Sequence, residues 1–321
     1  MHHPLGVKPY STREAALESP YARRYLVVLN PAAGQSDTER VLRLLAGAFA
    51  SRRVGFDVVE TAGAGDAELY ARQAVEAGYR CVVAVGGDGT VGEVITALAG
   101  TGVPLGIIPK GTGNQVAYNM GIPRQVEAAV DVVVNGVPMS IDLGQVTDTG
   151  RYFAVAVGTG WDTAIMSSAT RELKDRWGFG AYIYAFLRLG RTRPSSLYRI
   201  TADGESAEIQ AAMVVVANMG VIVSNPPALK LSLGPNVSHR DGKLDVCIFA
   251  PRTLSDVAGV IWNMTRTRFA GDERMLFFQA SEVRIESDPP APYEMDGELA
   301  GDTPVVARSV PGGVRILVPP R

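Results

Sequence analysis

The chain has 321 residues, of which 46% are hydrophobic and 20% charged, with 35 Gly, 20 Pro and 2 Cys; this composition excludes collagen, coiled coil and disorder. Its 31 Lys+Arg and 33 Asp+Glu give a formal net charge of -2, so no overall basic field recommends nucleic acid as a partner. At this length a single core usually divides, and two domains are expected.

Residues 1–24 lack the apolar run of a signal peptide and read as a flexible tail. From Tyr25 a β-branched run to Asn30 reads as a buried parallel strand. The next segment is helical, capped by Ser36 or Asp37, with Val41, Leu42, Leu44, Leu45 and Phe49 at helical spacing. Strands at 55–60, 81–85, 104–108 and 140–146 then alternate with helices at 65–77, 91–99 and 125–135, the rhythm of a parallel sheet. Beyond Gly150 it changes: runs at 197–202 and 207–217 flank the hairpin signal Asp203-Gly204, and short strands recur at 243–249 and 283–286. Helical pattern interrupts this half at 172–189 and 254–268.

The expected division is therefore a tail (1–24), a nucleotide-binding α/β domain (25–139, completed by 305–321) and a β-rich domain (140–304). The longest apolar stretch, 211–223, is broken by Asn218 and Gly220 and falls short of the ~18 residues that suggest a membrane span. Cys81 and Cys247 each sit in an apolar run and read as separate buried thiols in a reducing compartment.

Three glycine-bearing loops carry the chemistry. Gly86-Gly87-Asp88-Gly89-Thr90 lies between a buried strand and a helix, where a parallel sheet presents its carboxyl ends and ligands bind. Its glycines admit a phosphate close to the backbone, and the amides and hydroxyl there can point at the anion. Taken alone, it could equally be a plain strand-to-helix turn. Asn30-Pro31-Ala32-Ala33-Gly34 and Pro109-Lys110-Gly111-Thr112-Gly113-Asn114 follow neighbouring strands, and three such loops on one edge read better as one nucleotide cradle. No Walker-type G-x-x-x-x-G-K-[ST] run occurs.

These loops, with Thr61 before Gly65-Asp66-Ala67, Asp142-Leu143-Gly144, Asp241-Gly242-x-Leu244-Asp245 and Asp296-Gly297-Glu298, resemble the diacylglycerol kinase catalytic-domain family in order and spacing over most of the chain. Sphingosine, ceramide and related bacterial lipid kinases share the pattern. The resemblance implies an N-terminal Rossmann-like three-layer α/β domain and a C-terminal antiparallel β-sandwich-like domain, as in NAD kinases. ATP and Mg²⁺ would bind in a cleft between them, and phosphate would pass to a hydroxyl of diacylglycerol or a related lipid. Carried over by motif, Asn30, Pro31, Gly34, Thr61, Gly86, Gly87, Asp88, Gly89, Thr90, Glu93, Thr112 and Asn114 would contact nucleotide. Asp296 would be the general base with Glu298 beside it, Asp88 and Asp142 would belong to the magnesium network, and the Asp241 side chain with the Lys243 carbonyl would hold a structural metal.

Phosphoryl transfer independently favours carboxylates for these roles, since it requires positioning, charge neutralisation and an acceptor for the hydroxyl proton. Asp296-Gly297 also reads as a β-turn, which would project the carboxylate. Two positions depart from the family pattern: Gln35 stands where a cation is common, leaving Arg40 nearest, and Ser238 stands where a further carboxylate would help. Lys110 could contribute charge, although an exposed loop lysine is usually only solvated. His239 has no partner motif and reads as solvated or capping.

Segment 171–193 combines Trp177, Phe179, Tyr182, Tyr184 and Phe186 with six basic residues against Glu172 and Asp175, a pattern suited either to an anionic membrane surface or to a helix packed on the sheet. Residues 254–268, with Trp262, Arg266 and Arg268, are a weaker case. The expected setting is cytoplasmic with peripheral membrane association, a lipid substrate and no nucleic acid, and with a homodimer left open. Two rival readings are a kinase of a soluble acceptor such as NAD and a non-catalytic nucleotide-binding regulator. Liposome dependence would separate the first, and any lipid phosphorylation would eliminate the second.

Overall fold

The computed structural model describes residues 8–10, 21–34, 38–160, 195–223 and 230–320. The chain divides into two units, Met1–Ile141 with Gly312–Arg321, and Asp142–Pro311.

The first unit contains β1 (Lys8–Tyr10), β2 (Arg24–Leu29), α1 (Thr38–Ser51), β3 (Gly55–Glu60), α2 (Asp66–Ala77), β4 (Cys81–Gly86), α3 (Asp88–Leu98), β5 (Pro104–Pro109), α4 (Gln115–Asn119) and α5 (Val126–Asn135). β2 is buried from Tyr25 to Leu29 and β4 throughout, as strands covered on both faces must be. The sheet order is β1-β3-β2-β4-β5, with β2 parallel to both β3 and β4 and β4 parallel to β5. Because the chain steps from β2 out to β3 and then back past β2 to β4, the crossover direction reverses beside β2. The carboxyl ends of β2 and β4 therefore form the switch point at which such sheets bind ligands.

The tail reading needs correction: Lys8–Tyr10 pairs antiparallel with β3, Lys8 opposite Val58 and Tyr10 opposite Phe56. The free edge of β3 offers backbone donors and acceptors that an extended segment satisfies. The helix-cap candidates Ser36 and Asp37, Gln35 and the aromatic-basic segment 171–193 lie outside the described residues.

At the amino end of this sheet the Arg24 guanidinium grips Asp57 through Nε (2.7 Å) and NH2 (2.5 Å), and Tyr79 Oη donates to the same carboxylate (2.8 Å). Asp57 is 1% exposed. Asp57→Asn keeps the shape but weakens two charge-assisted bonds, and should lower stability by about 2 kcal/mol, read as a lower midpoint in urea at unchanged slope. An unchanged midpoint would refute that assignment.

The second unit is antiparallel. Its strands are β6 (Val137–Val146, entering from the first unit), β7 (Tyr152–Phe153), β8 (Ala156–Gly160), β9 (Ser196–Ala202), β10 (Glu205–Ala211), β11 (Met213–Ala217), β12 (Val221–Val223), β13 (Lys230–Ser232) and β14 (Leu244–Phe249). After α6 (Leu254–Arg266) come β15 (Met275–Ala280), β16 (Glu282–Asp288), β17 (Pro292–Met295), β18 (Glu298–Asp302) and β19 (Val305–Val318), whose last residues return to the first unit. One layer runs β15-β14-β11-β8-β17-β18; β10, β9, β16 and the first half of β19 form the other. Val157, Val214, Val216, Val246 and Met295 of the former pack with Tyr198, Ile200, Val283, Ile285 and Ala307 of the latter in one core. The single run expected at 207–217 is two strands in different layers, because the chain turns at Ala212.

Candidate active site

The three glycine loops meet. Asn30 Nδ2 donates to Thr90 Oγ1 (3.1 Å), while its Oδ1 accepts Ala32 N–H (3.0 Å) in a local turn, so one side chain shapes the first loop and ties it to the second. Lys110 N–H donates to the Gly86 carbonyl (2.8 Å). A Cβ on Gly111 would stand 2.6 Å from Gly87 Cα, and one on Gly34 would stand 2.1 Å from the Lys110 carbonyl oxygen. These glycines are therefore required by backbone packed on backbone, which draws the first and second loops against the third.

The predicted nucleotide residues divide by what they face. Pro31, Gly34, Gly89 and Thr112 are exposed, and Asn30, Thr61 and Gly87 are half-buried. Gly86, Thr90 and Asn114 are buried. Asn114 closes its own loop, accepting Gly111 N–H at 2.9 Å and donating to the Gly111 carbonyl at 2.6 Å. The Asp88 carboxylate accepts Asn114 N–H (2.7 Å) and Gln115 N–H (2.6 Å), clamping the second loop to the third. Burial pushes the Asp88 pKa up, and those backbone donors oppose the shift. Glu93 turns away to the start of α2, its two oxygens accepting Gly65 N–H (2.9 Å) and Ala67 N–H (3.0 Å).

The cations also differ from expectation. Lys110 is buried rather than solvated, its Nζ donating to Thr38 Oγ1 at 3.1 Å. Arg40 pairs with Glu127. Arg124, which no motif marks, directs its guanidinium to the Thr112 carbonyl (3.2 Å) and lies exposed beside the third loop.

In the second unit Asp296-Gly297 forms the two-residue turn between β17 and β18, with φ of 49° and 90°. Positive φ at both central residues is what a twisted hairpin demands of such a turn. The Asp296 carboxylate accepts three backbone N–H groups, Ala154 (2.8 Å), Val155 (2.8 Å) and Ala156 (3.0 Å). Glu298, next after the turn, is exposed. Glu294, which the sequence reading passed over, is a buried acid whose Oε2 accepts Gly297 N–H at 2.6 Å and so secures the turn. Its only sequence signal is alternation, which puts it on the face opposite the core-facing Tyr293 and Met295.

Asp142 is buried, with Oδ2 accepting Gly242 N–H at 2.7 Å. Gly144, in the same motif, lies under the Phe153 ring, where a Cβ would come within 1.9 Å. Asp241 accepts Lys243 N–H (3.1 Å) and the Gln279 amide (2.9 Å), a closed turn. Among the described residues no three His, Cys, Asp or Glu side chains converge to hold a metal ion.

His239 is half-buried, not freely solvated, and burial pushes its pKa down. Cys81 and Cys247 are free and buried. Asp245 has one buried oxygen without a hydrogen-bond partner, and burial, with nearby Asp241, pushes its pKa up to about 6. The folded state thus holds this proton after the unfolded state has released it near pH 4, so stability from this group is lost as pH rises through about 6. In chelator-treated buffer, Asp245→Asn should lose less Tm between pH 5 and pH 8 than the parent chain; equal losses would refute the assignment.

In α6, Val257, Val260 and Met264 face inward, while Trp262 is 56% exposed with the Arg266 guanidinium 4.6 Å from its ring centre. The helix stops at Arg266, two residues before its expected end, where Thr267 adopts φ 52°. No described helix is long and apolar enough to cross a membrane.

Comparison with known proteins agrees with this architecture. Residues 24–146 match the diacylglycerol kinase catalytic domain, and residues 155–318 match the YegS C-terminal NAD kinase beta sandwich-like domain. The chain is 34% identical over 278 residues to a diacylglycerol kinase of Mycobacterium tuberculosis, covering 83% of this chain and 86% of that one. It is 29% identical over 286 residues to a diacylglycerol kinase of Bacillus subtilis, covering 88% and 92%. A crystal structure of a diacylglycerol kinase from Bacillus anthracis shares the fold at a TM-score of 0.73, with 22% identity and 93% and 97% coverage. The α/β unit and the antiparallel sandwich are thus those the sequence implied, and with both halves matched the chain belongs to the diacylglycerol kinase family of enzymes.

Proposed function

We propose that the chain transfers the γ-phosphoryl group of ATP to the hydroxyl of diacylglycerol or a closely related lipid alcohol. The observation that carries this reading is the contact of three glycine loops at the carboxyl edge of one parallel sheet. Their exposed members are small or neutral, and the Asp88 carboxylate is turned to backbone N–H groups, which leaves a surface suited to a polyphosphate. Arg124 adds a cation at the third loop.

Mg²⁺ arriving with the nucleotide would supply charge neutralisation on the phosphate oxygens, and the family pattern assigns Asp142, and the lone pairs that two N–H donors leave free on Asp88, to its network. Asp296 was expected to be the base, but three N–H donors already occupy its carboxylate, so we assign it to positioning the turn and the start of β8. Glu298 is the proton acceptor: as the lipid oxygen bonds to the γ-phosphorus and ADP leaves, the hydroxyl proton passes to its carboxylate. An insoluble acceptor is met at a membrane surface, and the Trp262–Arg266 stripe of α6 suits peripheral contact with anionic lipid from the cytoplasm.

The direct test is radiolabelled ATP with diacylglycerol in mixed vesicles, followed by mass identification of the product. Labelled phosphatidate supports the reading. Labelling of NAD without lipid labelling would replace it with the soluble-acceptor alternative.

A further inference from the structure

We propose that Asn218 is a positioning residue for the phosphoryl-acceptor side of the reaction, holding Asp142 and the segment gripped by Asp296 in one network. Asn218 is 0% exposed. Its Nδ2 donates to two main-chain carbonyls, Asp142 (2.9 Å) and Ala154 (2.8 Å), and its own N–H donates to the Val155 carbonyl (2.8 Å). An amide NH₂ has two protons and both are used, so the orientation of the side chain follows from chemistry.

Ala154 and Val155, with Ala156 after them, face the turn acid in the opposite sense: the N–H groups of all three go to Asp296. Segment 154–156 is therefore held through the Ala154 and Val155 carbonyls by Asn218 and through all three amides by the Asp296 carboxylate, with the Ala156 carbonyl accepting Asp296 N–H. Asp142, bound through its carbonyl to Asn218, fastens Gly242 through Oδ2, so the motifs at 142, 241–242 and 296 belong to one hydrogen-bonded network. No motif joined them in the sequence. Asn218 itself appeared there only as an interruption of an apolar run.

Replacing Asn218 by Ala leaves two buried carbonyls without that donor, and the chain must shift to hydrate or repair them. The shift falls on segment 154–156 and hence on the direction of the Asp296 turn that carries Glu298. Displacement of a reacting group by about 1 Å can cost on the order of 100-fold in rate. The glycine loops lie in the other unit, so nucleotide binding should change far less than turnover.

The catalytic part rests on the proposed lipid kinase activity, so the experiment has two arms. In the first, amide hydrogen exchange of Asn218→Ala should rise selectively at residues 154–156, beyond any uniform change; uniform acceleration overturns the positioning role whatever the reaction is. In the second, lipid phosphorylation per folded molecule should fall by about 10- to 100-fold, with KM for ATP within about twofold. Turnover within twofold of an active parent overturns the proposal. A parent chain inactive on every lipid overturns the proposed function instead, and leaves the exchange arm standing. Should the alanine variant not fold, Asn218→Ser decides. Its single hydroxyl proton can serve one of the two carbonyls, so a smaller rate loss with selective exchange is expected, and parental turnover overturns the role.

Discussion

Glu298→Gln is expected to reduce lipid phosphorylation by about 10²- to 10⁴-fold, the range a positioned general base supplies, with Tm and nucleotide affinity close to those of the parent chain. The side chain is exposed, and exposed substitutions away from special features usually stay within about 0.5 kcal/mol. Asp296→Asn should behave differently. Asn tolerates the left-handed backbone at this position, so the change acts on the carboxylate alone. One acceptor oxygen becomes an NH₂ facing backbone N–H groups, which should cost about 1–3 kcal/mol of stability together with turnover. The pair of measurements separates the two acids. If Glu298→Gln retains turnover while Asp296→Asn loses it at unchanged Tm, then Asp296 is the base, as its motif position first suggested.

That ambiguity shows what a sequence can carry. Strand-to-helix alternation is a property of local periodicity, so β2, β4, β5 and the loops after them were readable before any coordinates. The hairpin at Asp296-Gly297 was equally readable, because few residue pairs accept two positive φ values. The direction of a side chain was not. Asp88 and Glu93 stand where nucleotide contacts were expected, yet both face backbone N–H groups, and nothing in a one-dimensional pattern distinguishes a carboxylate aimed at a ligand from one closing a loop. Lys110 looked solvated because loop lysines usually are, whereas here the packing of three loops encloses it. α4 was missed because five residues are too few to show a period. Asn218, Glu294 and Arg124 act through partners 63 or more, three and twelve residues away, and only the folded chain makes such spacings meaningful.

Gly34→Ala should be the most damaging single-methyl change on the nucleotide side. Two costs combine at this position. Residue 34 has φ of +64°, a region that charges a side chain about 1–2 kcal/mol, and the added Cβ would meet the Lys110 carbonyl oxygen at 2.1 Å, less than any real contact distance. Backbone shifts forced by overpacking typically add about 1–3 kcal/mol, and the oxygen is main-chain, with no rotamer through which to escape. The first and third loops must therefore separate, which removes the close approach on which a shared phosphate surface depends. We expect a Tm lower by several degrees and nucleotide affinity, by titration, weaker by at least about tenfold, since losing a single charge-assisted phosphate contact of about 1.5–3 kcal/mol already suffices for that. Gly47→Ala is the internal control. That glycine lies on the exposed face of α1 with nothing within 4 Å of a new Cβ, so the helix should gain about 0.5–1 kcal/mol while binding stays constant. Parental affinity in Gly34→Ala, with the expected gain in Gly47→Ala, would mean that the loops can part without consequence and that the phosphates are held elsewhere.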